Sequence, residues 1–308
     1  MLKNRVLFGV NLPQASVEAP PTGNEVVEFA KHAETYGFHS LWVLERILHH
    51  AVSVLDPLSL LTFASAVTRE IRLGTAIVMT PLRNPVLFAK TIATMDNLSS
   101  GRLILGMGLG GGQTEFEAVG IKLAERAARF SESLKIIRQL WTGEKVSYTG
   151  KFWTLNGVSM KPKPIQGYLP VWIGARADNA LKRAVKHADG WIGSGASTFE
   201  DFAAGSKKVT TFIRELGKSS DFVIAKRLYI HVDPDPEWAE AVMRKWMTSF
   251  YGPRVSDISN TCVYGQVDDC IDKIQRYADA GASILILHPV DDYQNQLRIY
   301  ASQITPSF

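Results

Sequence analysis

Several side chains that could do chemistry stand directly after short apolar segments of this sequence. Glu45 and Arg46 follow one such segment, His50 comes soon after them, and His288 ends another segment. Carboxylates and imidazoles can exchange protons near neutral pH, whereas a guanidinium stays protonated and can only bind or stabilise an anion. These residues are the catalytic candidates of the chain.

Glycines are concentrated at a second set of such positions. Residues 106–112 read GMGLGGG, residues 174–176 read GAR, and residues 193–195 read GSG. Backbone without Cβ atoms lets a flat ring or a phosphate approach closely, and free N–H groups bind anions. The two shorter segments each precede a predicted helix, whose N-terminus also favours an anion. We therefore predict cofactor contacts here, with ordinary ligand-free turns as the alternative.

Residues 106–111 also fit the G-x-G-x-x-G pattern of dinucleotide-binding folds. That fingerprint needs a helix directly after the loop and an acidic residue about 20 positions on, at the end of the next strand. Here the loop continues as QTEFEAVG, and Glu125 and Glu132 fall in a predicted helix. We interpret the match as coincidental. Serine-hydrolase and helical metal motifs are also missing from the sequence, so a cofactor is expected to supply the chemistry, with no metal.

Apolar strands and amphipathic helices alternate along the chain. Strands are predicted at residues 6–12, 38–44, 71–79, 103–107, 171–173, 191–193, 223–232 and 284–287, and a small hairpin at 145–155. Helices are predicted at residues 24–36, 56–67, 85–98, 124–140, 179–187, 198–216, 237–250, 267–280 and 294–304. Strand–helix units without a break in composition predict a (β/α)8 TIM barrel forming a single domain over residues 1–308, with a doubly wound sheet as the alternative. In a barrel, both sets of candidates would meet at the carboxyl ends of the strands.

Composition excludes several classes of function. The chain has 308 residues and a formal net charge of +4, and its basic residues form no long run, so we expect no nucleic-acid partner. No segment has the pattern of a signal peptide or of a membrane span. Cys262 and Cys270 are spaced neither as a metal clip nor as a disulfide framework. A cytoplasmic protein is expected.

Ordered motifs over most of residues 8–192 carry a family resemblance. They include AETYGFHSLWVLER, IRLGTAIVMTPLRNP, RFSESLKIIRQLWTGEKVSYTGKFW, KPKPIQ and PVWIGA. The chain resembles the bacterial luciferase-like monooxygenase superfamily, and MDNLSSGRL, LRNP and ADGWI are most similar to its coenzyme F420-dependent oxidoreductase branch. The resemblance implies a TIM barrel with an insertion after the fourth strand, a homodimer and a small-molecule substrate.

The resemblance implies a flavin-type cofactor in one of two chemistries. In the F420 branch, the deazaflavin carries a hydride to or from the substrate. In the other branch, reduced FMN activates oxygen for a monooxygenation. A third possibility, from a different class, is a non-catalytic flavin-binding barrel that pairs with an active subunit.

Cofactor-binding residues carry over from the family motifs. A non-proline cis peptide bond is implied at Ala76–Ile77, against the cofactor ring. Gly174, Ala175 and Arg176 match the loop at the phosphate, and the implied neighbours and side wall are Gly193, Ser194, Gly108, Gly110 and Glu115.

One catalytic position departs from the family pattern. Family members often carry Asp-His or Glu-His-His at the end of the second strand, where this chain has Glu45-Arg46. The resemblance implies that these two residues flank the substrate. His50 and His288 are the candidates to replace the family histidine.

Overall fold

Eight parallel strands close into a barrel in the computed structural model, which describes residues 6–219, 221–252 and 257–308. The strands are β1 (Leu7–Asn11), β2 (Ser40–Val43), β3 (Arg72–Thr75), β4 (Leu103–Gly108), β5 (Val171–Gly174), β6 (Gly190–Gly193), β7 (Val223–Val232) and β8 (Ile284–Pro289). Each strand pairs in parallel with the next one along the chain, and β8 pairs with β1. The predicted (β/α)8 barrel is confirmed.

Helices connect the strands around the outside of the barrel. They are α1 (Gly23–Thr35), α2 (Pro57–Val67), α3 (Pro85–Leu98), α4 (Gln113–Ala118), α5 (Arg126–Thr142), α6 (Asp178–His187), α7 (Phe199–Glu215), α8 (Pro236–Tyr251), α9 (Val267–Asp279) and α10 (Tyr293–Ile299). Asp56 and Asn84 cap α2 and α3 through their side chains, and a proline fills the first position of each helix. No helix within the described ranges is long and apolar enough to cross a membrane.

The segment between β4 and β5 contains α4, α5 and the antiparallel strand pair Val146–Thr149 and Thr154–Val158. A second antiparallel pair joins Ala15–Ser16 to Ser53–Val54, and Val263–Gly265 lies parallel to β7 outside the barrel order. Neither α4 nor Val263–Gly265 is predicted from the sequence, because elements this short carry no clear periodicity.

The predicted strand at residues 71–79 is wrong in one respect, because it is interrupted. β3 ends at Thr75, and a separate strand, Val78–Met79, pairs with the end of β4. The Thr75 hydroxyl joins β3 to β4, since Oγ1 donates to the Gly106 carbonyl at 2.8 Å and accepts from the Gly106 amide at 2.9 Å. Residues 76–77 are thereby set at the mouth of the barrel.

Two indoles fill the barrel interior. Trp42 and Trp172 lie with ring centroids 5.2 Å apart, and both side chains are buried. Gly9 and Gly74 make room for Trp42, because a Cβ atom on either glycine would overlap its ring. The barrel is therefore a packed core, and a ligand can enter only at its ends.

A buried guanidinium joins several segments by hydrogen bonds at the opposite, amino-terminal end of the barrel. Arg102 precedes β4 and is only 8% exposed. Its nitrogens donate to the carbonyls of Ser65, Thr68, Ile71 and Ser99 and to the Thr68 hydroxyl, at 2.7–3.3 Å. Arg102 thus satisfies carbonyl groups around the C-terminal ends of α2 and α3, where a cation is favourable.

Candidate functional site

A cleft of about 520 Å³ opens at the carboxyl ends of β3 to β6. Nine of the cofactor candidates line it together: Ala76, Ile77, Gly108, Gly110, Gly174, Ala175, Arg176, Gly193 and Ser194. Residues far apart in the sequence meet here because parallel strands present their carboxyl ends on one face of the barrel. The volume suits a small-molecule or cofactor site.

The glycines of the cleft make room for nearby side chains of the same polypeptide. The Ala76–Ile77 peptide bond is cis, as the family resemblance implied. A Cβ atom on Gly108 would lie 2.6 Å from Ile77 Cδ1, and one on Gly174 would lie 3.0 Å from Ile77 Cγ2. Gly110 has a φ of 68°, and its Cβ would meet the Met79 sulfur at 2.7 Å. Glycine at these positions therefore leaves space for the Ile77 and Met79 side chains and also keeps the cleft open.

The cleft is strongly cationic. Its lining includes Arg126, Arg176 and Arg227, and no Asp or Glu is among the described residues that line it. Arg126 donates to the Leu123 carbonyl at 3.1 Å, and Arg176 pairs with exposed Asp201 at 2.9 Å. An excess of guanidinium groups favours a ligand with phosphate or carboxylate groups.

Sequence reasoning missed Arg126 and Arg227 as lining residues. For Arg227 a signal existed, since it has the same strand parity as Tyr229 and His231, which side-chain alternation along β7 directs to the same side. Nothing comparable marks Arg126, which begins α5.

The two predicted anion-binding helix starts differ in the structure. α6 begins at the cleft, where Ala177 and Ala180 are lining residues, and its cap residue Ala177 offers no side-chain hydrogen bond. α7 begins further on, and Thr198 already caps it by accepting from the Asp201 amide at 3.2 Å. Phe199, the first residue of α7, also donates to the Asn260 carbonyl at 3.0 Å, so the predicted anion site at α7 finds no support in this geometry. At α6, the Ala180 amide donates to the Ala177 carbonyl at 2.8 Å, which leaves Asp178 and Asn179 as the first-turn amides without an intrahelical acceptor.

A buried lysine fixes the segment that carries Ser194. Lys226 is fully buried, and its Nζ donates to the Ser194 carbonyl at 2.5 Å and to the Ser197 carbonyl and hydroxyl at 3.0 and 2.9 Å. Burial, with a smaller contribution from Arg227, lowers the pKa of Lys226 to about 7. Lys226 therefore acts on the cleft through the backbone of residues 194–197.

Glu45 lies at the end of β2 but does not line the cleft. Its side chain is buried, and its carboxylate accepts from the Met79 amide and from the Arg83 guanidinium. Burial raises the pKa of the Glu45 carboxyl, and Arg83 opposes this shift. Both oxygens are occupied, so Glu45 joins β2 to the Val78–Met79 strand.

Arg46 and Glu115 form a second bridge beside the cleft. Arg46 Nη1 lies 3.6 Å from Glu115 Oε2, and the guanidinium lies over the Phe250 ring at 5.4 Å. Glu115 is 3% exposed and accepts from the Ile47 amide at 2.9 Å. Glu115 is absent from the cleft lining, so its predicted contact with the cofactor finds no geometric support. Its carboxylate instead joins α4 to the loop after β2.

The histidine candidates are not brought together. His50 is exposed and stacks on His49 in a separate shallow groove, which Arg46 also lines. His288 is 2% exposed, and its ring centroid lies 4.7 Å from that of Tyr229. Burial and the nearby Arg227 charge hold the pKa of His288 well below its usual value. His288 is consequently a neutral imidazole at pH 7.

Comparison with known proteins adds a family match. The model for the luciferase-like monooxygenase family matches residues 6–283. The F420-dependent glucose-6-phosphate dehydrogenase of Rhodococcus erythropolis is 26% identical, covering 92% of this chain and 93% of that protein. The 5,10-methylenetetrahydromethanopterin reductase of Archaeoglobus fulgidus is 32% identical, covering 71% of this chain and 64% of its own length.

A solved structure confirms the fold independently. An F420-dependent secondary alcohol dehydrogenase, in complex with an F420-acetone adduct, superposes with a TM-score of 0.85 over 97% of this chain and 98% of that one. Its sequence identity is 22%, so the likeness concerns the fold.

Proposed function

Because the chain belongs to the luciferase-like monooxygenase family, we propose that it is an F420-dependent oxidoreductase that transfers a hydride to or from a small organic substrate. The observation that carries this proposal is the cationic cleft, which gathers nine of the residues that family motifs assign to the cofactor and has no acidic side chain among its described lining residues. The F420-dependent relatives named above support the choice of cofactor.

The residues of the cleft fit such a cofactor. Ala76 and Ile77 offer an apolar surface for a planar ring, and the backbone of residues 174–176 leads into the N-terminus of α6. Arg126 and Arg176 offer positive charge for the phosphate of the cofactor and for the acidic groups of the cofactor's side chain. When bound, the deazaflavin would supply the hydride-carrying carbon, while the protein binds, orients and excludes water.

Arg46 is the residue we propose on the substrate side. It stays protonated, so it can hold an anionic substrate group or stabilise developing negative charge, and it cannot act as a general base. Glu45 is fully engaged by Met79 and Arg83, which leaves it a positioning role. The neutral His288 is buried away from the cleft lining.

Fluorescence titration of the purified protein with F420 and with FMN tests the cofactor. We expect micromolar binding of F420, because its anionic groups match the cationic lining of the cleft. Micromolar binding of FMN without binding of F420 would overturn this proposal and favour a reduced-FMN monooxygenase, the chemistry that gives the family its name. Turnover by this chain alone with a reduced cofactor would exclude a non-catalytic subunit.

Arg46→Ala should separate chemistry from cofactor binding. We expect kcat to fall by about 100-fold or more, because a charge that stabilises the transition state is lost, while the Kd for F420 stays within a factor of about two. Steady-state kinetics and the same fluorescence titration measure the two effects. Unchanged kcat would mean that the Arg46–Glu115 bridge only supports the loop.

A further inference from the structure

Arg227 is a buried cation without a carboxylate partner. It is 7% exposed, and no ion pair of the described residues includes it. Residues 1–5, 220 and 253–256, which lie outside the described ranges, contain no Asp or Glu in the sequence. A buried charge is costly unless it is paired, so this guanidinium is expected to have a partner that the chain does not supply.

The hydrogen bonds of the Arg227 guanidinium involve Nη2 and leave Nη1 without a partner among the described residues. Nη2 donates to the hydroxyls of Tyr229 at 3.2 Å and Tyr251 at 3.5 Å. Nη1 is buried and has no hydrogen-bond partner among the described residues. A guanidinium anchored on one side, with donors free on the other, is oriented to receive an oxygen anion.

Position distinguishes Arg227 from the other arginines of the cleft. It lines the cleft beside Gly195, where a Cβ atom would lie 2.8 Å from its Nε and 3.0 Å from its Nη2. On its other side, the Tyr229 and Tyr251 hydroxyls are 2.8 Å apart, at the edge of an aromatic cluster that includes Trp246 and Phe250. Gly195 thus leaves space beside the Nε and Nη2 edge of the guanidinium, which lines the cleft at its border with the aromatic residues.

We propose that Arg227 is a binding residue for a carboxylate or phosphate group of the molecule held in the cleft. The proposal deepens the proposed function and rests on it for the identity of the cleft. The anionic group belongs either to the organic substrate, which then is itself an acid or a phosphate ester, or to the cofactor. Arg46 has Glu115 at 3.6 Å, whereas no salt bridge among the described residues includes Arg227.

Anion binding to the cofactor-free protein tests this directly. Inorganic phosphate and benzoate are titrated at constant ionic strength, with melting temperature and calorimetric heat as readouts. We expect at least one of the two to bind the wild-type protein and to bind Arg227→Gln at least tenfold more weakly. The matched control is Arg298→Gln, an exposed guanidinium on α10, which should bind as the wild type does.

Repeating the titration with F420-saturated protein identifies the source of the anion. Binding of benzoate or phosphate that persists and still depends on Arg227 assigns the residue to the substrate. Loss of that binding, together with an F420 affinity at least tenfold weaker in Arg227→Gln, assigns it to the cofactor. If the protein binds no F420, the proposed function fails, but the cofactor-free titrations still decide the role of Arg227.

Arg227→Met keeps the test valid should the glutamine variant fold poorly. Methionine retains the apolar stem and removes an unpaired buried charge, so the urea midpoint should stay the same or rise. A sharply lower midpoint with unchanged anion and F420 binding would make Arg227 a structural residue and overturn the proposal. Equal binding of phosphate, benzoate and F420 by the wild type and both variants would overturn it as well.

Discussion

Gly106→Ala is expected to destabilise the barrel by about 3 kcal/mol or more. An added Cβ atom would overlap the Thr75 carbonyl oxygen and would also crowd Ile192 Cδ1 at 2.9 Å. The obstacle is backbone, which cannot move aside as a flexible side chain can. Thr75 is further held by two hydrogen bonds between its hydroxyl and Gly106, so any relaxation must break the contact between β3 and β4.

Gly111→Ala is the matched control for this substitution. It lies in the same glycine run, and a Cβ atom there would meet nothing within 4 Å. Soluble yield, circular dichroism and urea midpoints of both variants give the comparison. If Gly106→Ala unfolded at the wild-type urea concentration, the close approach of β3 and β4 described here would be wrong.

Arg102→Met is expected to lower stability by about 3 kcal/mol without touching the cleft. The substitution leaves the carbonyl groups of Ser65, Thr68, Ile71 and Ser99 without their donor at the amino-terminal end of the barrel. Each buried carbonyl without a partner costs about 1–3 kcal/mol, partly offset because a buried cation is also removed. Loss of stability at this end should leave the F420 affinity of the folded protein unchanged.

Arg69→Met provides the control for charge and side-chain length. Arg69 is exposed, and its side chain donates to the Ala66 and Thr68 carbonyls at 3.4 and 3.3 Å. Its urea midpoint should match that of the wild type. Comparable losses in both variants would indicate a general charge effect in place of the buried hydrogen bonds of Arg102.

The fold could be predicted from the sequence because local signals agree with the tertiary structure. The helix predicted at residues 85–98 is found at Pro85–Leu98, where the Asn84 cap and Pro85 define its start. The strand predicted at residues 223–232 is found at Val223–Val232. The interruption after Thr75 escaped prediction from the strand pattern, since residues 75–79 are all apolar or small and carry no turn signal.

The site was only partly predictable, for a different reason. Strand ends located the glycine and Gly-Ala-Arg segments on one face, and those residues do share a cleft. Partners cannot be read from residue type, however. Residue types alone gave no indication that Glu45 is bound by Arg83, that Glu115 is held by the Ile47 amide, or that Arg227 Nη1 has no hydrogen-bond partner among the described residues. Those facts depend on which side chains meet in space.

The Glu115 carboxylate also links the cleft to the groove beside it at the mouth of the barrel. It ties α4, which follows the glycines of residues 106–112, to the Arg46 guanidinium and to the Ile47 and Leu48 amides beside the neighbouring groove. Displacing this loop would break the Ile47–Glu115 hydrogen bond unless α4 moved with it, so ligands bound in the cleft and in the groove would be coupled through this carboxylate. Such heterotropic cooperativity is reciprocal: whichever ligand binds first, each alters the dissociation constant of the other by the same factor.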